Sequence, residues 1–376
     1  TQPRHTTEQS DHQPTTSTEP SAKTTTIQLN VATFNAQRSI LEPTIDSSDH
    51  NAARARLSLA KGQLLRAQAL LHQTHLMGIQ ESTTKGEYST ADTYLQFSTP
   101  PHPTKLGCTL MACTSIPYAT TPTKQLYLKY AHFRVLHKSH RLLIVRLNAP
   151  FLDETIYVAH APHQQPNNTN AQKWWDTYFA LADKWPPTMV LGDFNAKLDG
   201  TTPSPGIGTV TAPATQTDSE NFNAQQLRLA MSAHEQTCIN TTWEHSPTHT
   251  LQKTVKGTTT QHRVDYVALH NDWVEHVTDL HVDHKHDTAA KNEDHYPIYV
   301  KLRRTMPHHS NKAKRQHYDP NKLQDADRQA QYASILDDAP TEPWSTNTSE
   351  HHRRLTELLH DAAQQCFPAD DFTPRQ

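Results

Sequence analysis

The chain has 376 residues, with 35 Lys and Arg against 38 Asp and Glu, and its formal net charge of -3 gives no bulk attraction to polyanions. Any binding to nucleic acid has to come from a local basic surface and a metal. Only 34% of the residues are apolar and the mean hydropathy is -0.78, so a good part of the chain is expected to stay solvated, with disordered ends. No apolar run approaches the roughly 18 residues of a membrane span. The polar N-terminus also lacks the apolar stretch of a signal peptide, so the sequence reads as a soluble intracellular protein without a membrane partner.

Residues 1–26 are Thr, Gln, Ser, Pro and His with almost nothing apolar, and read as a tail that cannot repay the entropy of ordering. The first strand is TIQLNVATFNAQ, where Ile27, Leu29 and Val31 alternate with Gln28, Asn30 and Ala32 and carry Asn35 to the strand end. A helix follows. Leu57, Ala60, Leu64, Ala67 and Leu71 recur at steps of three and four, which predicts an apolar stripe with Arg54, Lys61 and Arg66 facing water. Further strands are LMGIQE, RLLIVRL, TIYVAHAP, TMVLGDFN, HRVDYVAL and YPIYVKL. Two more helices are built on Trp174, Trp175, Tyr178 and Ala182, and on Leu227, Ala230, Met231 and His234; core packing is preferred over base stacking for the two tryptophans. Thr201 to Ser219 reads as a loop.

Lys301 to Arg315 holds six Lys or Arg and no acid; it is read first as a solvated linker, then as a nuclear address or a phosphate-contacting arm. Beyond it, Asn347 with Glu350 resembles a capping box, and Leu355, Leu358, Leu359, Ala362 and Cys366 form a helical stripe. Cys108, Cys113, Cys238 and Cys366 show no paired spacing and are expected to be buried thiols. With 27 His in the chain, clusters arise by chance, so His281, His284 and His286 are discounted as a transition-metal site.

Six polar clusters sit at strand ends: Asn35, Glu81, His160, Asp193 with Asn195, Asp265, and Asp294 with His295. Any one alone is ordinary, because polar residues commonly cap strands. Strand ends are nevertheless where chain geometry gathers side chains from distant sequence onto one rim.

In this order the clusters resemble the endonuclease/exonuclease/phosphatase superfamily, which contains pancreatic deoxyribonuclease, abasic-site endonucleases, sphingomyelinases and inositol polyphosphate phosphatases. The resemblance spans Ile27 to Arg304. It implies an α/β fold, a four-layered sandwich of two mainly antiparallel sheets flanked by helices. It also implies Mg2+, with Mn2+ as an alternative, held by Glu81, Asn35 and Asp294, the last through water. His295 is then the general base, Asp265 its orienting partner, and Asp193 and Asn195 the pair that orients the nucleophile and contacts phosphate. His160 is implied to bind the scissile phosphate or donate a proton. Two positions depart from the pattern: Glu293 where Ser is usual, adding charge that raises His295, and Gln37 in place of an acid.

Within the superfamily, FNAQRS, VAHAPH, GDFNAKLD and RVDYV look most like the endonuclease domains of non-LTR retrotransposons. That resemblance implies a nuclear DNA endonuclease that nicks its target as in target-primed retrotransposition, with a reverse transcriptase domain or element RNA as further partners. The organisation expected is a tail over 1–26, the catalytic domain over 27–305, a basic linker over 306–320 and a helical segment over 321–376. Two other readings are carried: a phosphoesterase acting on an inositol phosphate or phospholipid headgroup, and a catalytically silent interaction module.

Overall fold

The structure, a computed structural model, describes residues 24–36, 52–82, 88–91, 93–99, 106–163, 167, 169–199, 202–209, 220–244, 248–287, 294–307, 318–319, 322–339 and 348–368. The chain divides into two compact units, Thr1–His308 and His309–Gln376.

In the first unit, β1 (Thr24–Asn35) leads through helix α1 (Ala52–Leu71) to β2 (Leu76–Ser82), which lies parallel to it. Then come β3 (Tyr88–Ala91), β4 (Tyr94–Ser98) and β5 (Gly107–Cys113), which extend the sheet past β2, and the ladder of β6 (Pro117–Thr120) and β7 (Gln125–Tyr127), which joins β1. The chain next builds a second sheet from β8 (Phe133–Ser139), β9 (Leu142–Ala149) and β10 (Leu152–His160), all antiparallel. Helix α2 (Thr169–Lys184) crosses to β11 (Met189–Asp193), parallel to β10.

Helix α3 (Phe222–Ala233), β12 (Gln236–Cys238), α4 (Ile239–Thr242), the hairpin β13 (Leu251–Val255) and β14 (Thr258–His262), and β15 (Asp265–His270) follow. After α5 (Asn271–Val274), β16 (Val277–Val282) and β17 (Ile298–Pro307) return to the first sheet on the far side of β1. The strand orders are β16-β17-β1-β2-β5-β4-β3 and β12-β15-β11-β10-β9-β8.

The layers follow from which faces are apolar. Leu29, Val31, Leu76, Val158, Leu191, Val267 and Val300 meet between the two sheets. The opposite face of the first sheet, through Phe34, Met77 and Met111, takes Leu65 and Ala69 of α1. The opposite face of the second, through Tyr157, Val190 and Phe194, takes Trp175 and Tyr178 of α2 and Leu227 and Ala230 of α3. The result is the four-layered α/β sandwich that the motif order implied. Each large apolar side chain leaving water contributes roughly 1.5–3 kcal/mol, so sheet-to-sheet packing, more than local propensity, holds the strand ends in place. The sheets approach closely at Gly78, where an added Cβ would lie 2.5 Å from Leu191 Cβ.

Two expectations need correction. On α1 the buried face is Gly62, Leu65, Arg66 and Ala69, whereas Ala67 is exposed and Leu71 is 80% exposed. Apolar residues nearly ring this helix, so two faces satisfy the helical period, and Leu65 and Ala69 take the one that packs on the sheet. And β15 begins at Asp265, where the periodic reading ran the strand from His262.

In the second unit, α6 (Ala326–Asp337) is capped by Asp325, whose side chain accepts from the Asp327 and Arg328 amides. Arg328 Nη1 donates to the carbonyl of Cys366 at the end of α7 (Thr348–Cys366), and Tyr332 packs on Phe367. Of the expected stripe, Ala362 and Cys366 are buried but Leu355 and Leu359 are exposed. Asn347, the expected cap, lies outside the described residues, as does most of the basic run. All four cysteines are free and buried. Among the described residues no helix is long and apolar enough to cross a membrane.

Candidate active site

Strand register builds the site. In the second sheet His160 pairs with Asp193 across β10 and β11, and Asp193 with Asp265 across β11 and β15, so three strand ends set three functional side chains in one row. Because β15 runs antiparallel to β11, Asp265 reaches this rim from the start of its strand. In the first sheet Asn35 pairs with Gln80 at the ends of β1 and β2. The sheets are tied there by Asn35 Nδ2, which donates to Asp193 Oδ2 over 2.9 Å.

His295 arrives by another route. Its backbone forms an isolated bridge with Leu251, flanked by bonds from Gln252 N to Asp294 O and from Tyr296 N to Thr250 O, so it rests on the base of the β13–β14 hairpin. Its Nδ1 stands 3.0 Å from Asp265 Oδ2. Asp265 is held by Thr250, whose Oγ1 accepts from the amides of both Val264 and Asp265. Asp294 faces the other ring nitrogen, with Oδ1 3.9 Å from His295 Nε2 and Oδ2 3.5 Å from Lys253 Nζ.

Asn195 and Glu81 both take left-handed backbone conformations, with φ of 48° and 56°. Asn tolerates this region, and Asn195 uses it to donate from its amide to Asp193 Oδ1 and from Nδ2 to the carbonyl of Ala161, each over 2.9 Å. Glu81 lies at the irregularity between Ile79 and Ser82 in the β2–β5 pairing; a bulge of this kind re-aims a side chain against the strand alternation. Its Oε1 stands 3.9 Å from Nε2 of the buried His160.

The electrostatics follow from crowding. Burial and the neighbouring Asp265 charge push the Asp193 carboxyl up, against the opposing pull of His295, Asn35 and the Asn195 amide. For His295, burial works against the cation, but Asp265, by charge and hydrogen bond, with Asp193 and Asp294, outweighs it and raises the ring to about 9. His160 is driven well below its usual value by burial, helped by the cations of Arg141 and neighbouring histidines, and is neutral.

All eight sequence-selected residues are therefore described. Asn35, Asp193 and Asn195 form one hydrogen-bonded set and Asp265 with His295 another, joined by the Asp193–Asp265 register; Glu81 with His160 and Asp294 flank them. Gln37 and Glu293 lie outside the described residues. The His281, His284 and His286 tract does not converge: His284 turns to the His249 carbonyl, His286 packs on Phe34, and His281 stacks on Tyr299. Thr250 and Gln80 were not anticipated. Gln80 is buried and donates to Thr33 and to the Leu191 carbonyl between the sheets, and neither residue has a periodicity signal that marks it.

No protein-family model matches this chain, and no curated protein matches it in sequence. Solved structures do. The endonuclease domain of TRAS1, a telomere-specific non-LTR retrotransposon, is 13% identical with a TM-score of 0.47, covering 73% of this chain and 98% of that one. A 3'-5' exonuclease from Neisseria meningitidis is 11% identical with a TM-score of 0.48, covering 73% and 99%. An AP endonuclease from Archaeoglobus fulgidus is 13% identical with a TM-score of 0.47, covering the same shares.

Whether the residues of this rim fit a divalent cation follows from their own donor chemistry. Asp265 Oδ1 is buried with no hydrogen-bond partner among the described residues. Ligand atoms of Asp193, Asp265 and His295 lie within 4.8 Å of one another, the one such group among the described residues. Carboxylate and amide oxygens are hard donors of the type Mg2+ and Mn2+ prefer, and Glu81 and Asp294 add two further carboxylates that are part-exposed. The donor set fits.

Proposed function

We propose that this chain is a Mg2+-dependent phosphodiesterase that nicks DNA. The observation carrying this reading is the convergence, from three strands and two loops, of a carboxylate pair, an Asp-supported imidazole and two carboxamides on a single rim. That combination suits hydrolysis of a phosphodiester, where water must be deprotonated while charge on phosphorus is stabilised.

In this reading Glu81, Asn35 and Asp294 hold the ion, which when bound supplies charge neutralisation at the phosphate oxygens. Asp193, kept in place by Asn35 and Asn195, orients the attacking water. His295, charged and fixed by Asp265 through Nδ1, turns Nε2 to the reacting group and stabilises negative charge building there. When the ring is neutral, the same Nε2 takes the proton of water. His160, neutral and with both ring nitrogens buried without hydrogen-bond partners among the described residues, is poised to donate to a phosphate oxygen.

The motifs resembling non-LTR retrotransposon endonucleases favour DNA in the nucleus as substrate and a reverse transcriptase or element RNA as companion. The test is whether the purified chain nicks supercoiled plasmid with Mg2+ and stops with a chelator. Nicking that depends on Mg2+ and is lost in Asp193→Ala supports the reading. No nicking, with phosphate released from an inositol phosphate, replaces it with a small-molecule phosphoesterase.

A further inference from the structure

Arg141 occupies the two-residue turn between β8 and β9, where Ser139 pairs with Leu142. A tight turn of this kind fixes the backbone from which the side chain departs. Its carbonyl accepts from the His160 amide over 2.9 Å, and its Nη1 reaches across to the carbonyls of His160 (3.3 Å) and Ala161 (3.4 Å). The Ala161 carbonyl is the one that also accepts from Asn195 Nδ2. One guanidinium nitrogen thus braces the end of β10 and, through Ala161, the residue that orients Asp193.

The remaining nitrogens, Nε and Nη2, make no hydrogen bond among the described residues, and neither is sealed from solvent. Burial opposes the charge of Arg141, while the carboxylates of Asp193 and Glu81 favour it. A guanidinium stays charged in proteins, and its planar fork matches the oxygens of a phosphate. Without it, Glu81, Asp193, Asp265 and Asp294 face an anionic substrate with only His295 and Lys253 as nearby cations.

We propose that Arg141 is a permanent cation of this site, braced through Nη1 on the carbonyls of His160 and Ala161 and presenting the rest of its guanidinium to a phosphate of the DNA backbone. The assignment rests on the proposed phosphodiesterase function for its substrate. Two consequences follow from charge alone: removing the cation weakens phosphate binding, and it relieves repulsion of a divalent ion held by the same carboxylates.

The experiment uses the full chain and Arg141→Gln, which keeps a donor for the carbonyls but loses the charge. Three quantities are measured: duplex-DNA binding in chelator against salt concentration, Mn2+ binding from the free-ion spin-resonance signal, and plasmid nicking in saturating Mg2+. The variant should show a salt slope shallower by about one, tighter Mn2+ binding, and nicking slower on the order of a hundredfold. Arg141→Lys should restore the salt slope without restoring turnover, because ammonium lacks the planar fork. An unchanged salt slope with unchanged Mn2+ binding overturns the assignment, and weaker Mn2+ binding with a lowered Tm reduces Arg141 to a structural brace. If the wild-type chain binds duplex and responds to Arg141→Gln but never nicks, the hydrolytic function falls and the phosphate contact stands.

Discussion

Asp193 and Asp265 are cross-strand partners, two carboxylates set opposite each other by the antiparallel pairing of β11 and β15. Like charges at that spacing repel, and each is compensated differently: Asp193 by the amides of Asn35 and Asn195, Asp265 by His295. The arrangement keeps His295 cationic and makes Asp193 sensitive to the charge of Asp265.

Asp265→Asn removes the neighbour that does most to favour the charged imidazole. The His295 ring should then titrate below about 9, because only Asp193 and Asp294 are left to oppose burial, and Asp193 should titrate lower once its like-charged neighbour is gone. Proton NMR titration of the chelated protein reads the ring directly. Activity should fall on the order of a hundredfold; a His295 titration unmoved by the substitution would break the link.

The raised His295 also sets a direction for stability against pH. Its ordinary value is 6.5 and its folded value about 9, so the stabilisation is complete below the first and disappears as pH rises through the second. Urea midpoints for the wild type and His295→Gln in chelator, from about pH 6 to about pH 10, should differ most at the acid end and converge at the alkaline end. A gap that stays constant would mean that the charge contributes nothing.

Glu81 holds a left-handed backbone that a non-glycine residue adopts at a cost of about 1–3 kcal/mol. Glu81→Gly should therefore leave Tm equal to or above that of the wild type while abolishing metal-dependent turnover, separating stability from function at one position. Calorimetry and plasmid nicking on the same preparation check it. Loss of folding, or retained nicking, would count against Glu81 as a metal ligand.

Thr250→Val keeps the shape and deletes the acceptor of two backbone amides. Stranding two buried donors should lower unfolding free energy by roughly 2 kcal/mol or more. Nicking should fall as well, since one of the two stranded amides belongs to Asp265 itself. If equilibrium unfolding shows a change well under that figure, water has replaced the hydroxyl and Asp265 is held by its strand alone.

Much of the site could be read from sequence because a strand's alternation ends visibly. Ile27, Leu29 and Val31 point to Asn35, and VLGD points to Asp193, without knowledge of the partner strands. What could not be read depends on tertiary choice. The inward face of α1 is set by the packing of Leu65 and Ala69 on the sheet, since the apolar period allows two solutions. The backbone reversal at Glu81 arises from a pairing irregularity with β5, whose register no local pattern states. Arg141 and Thr250 act through bonds to main chain, and such a role leaves no mark on residue periodicity.

The pairing of β1 with β17 sets Leu29 beside Leu302, joining the beginning of the first unit to its last strand. Asn35 belongs to the one end, while Asp265 and His295 belong to the other. On the ribosome, residues that would cut a backbone are therefore synthesised long before the groups that complete them, and the central place beside β1 stays vacant until β17 emerges. Under the proposed function an interrupted translation product would be inert, and the chain's chemistry would begin only after the strand that closes the first sheet has cleared the exit tunnel.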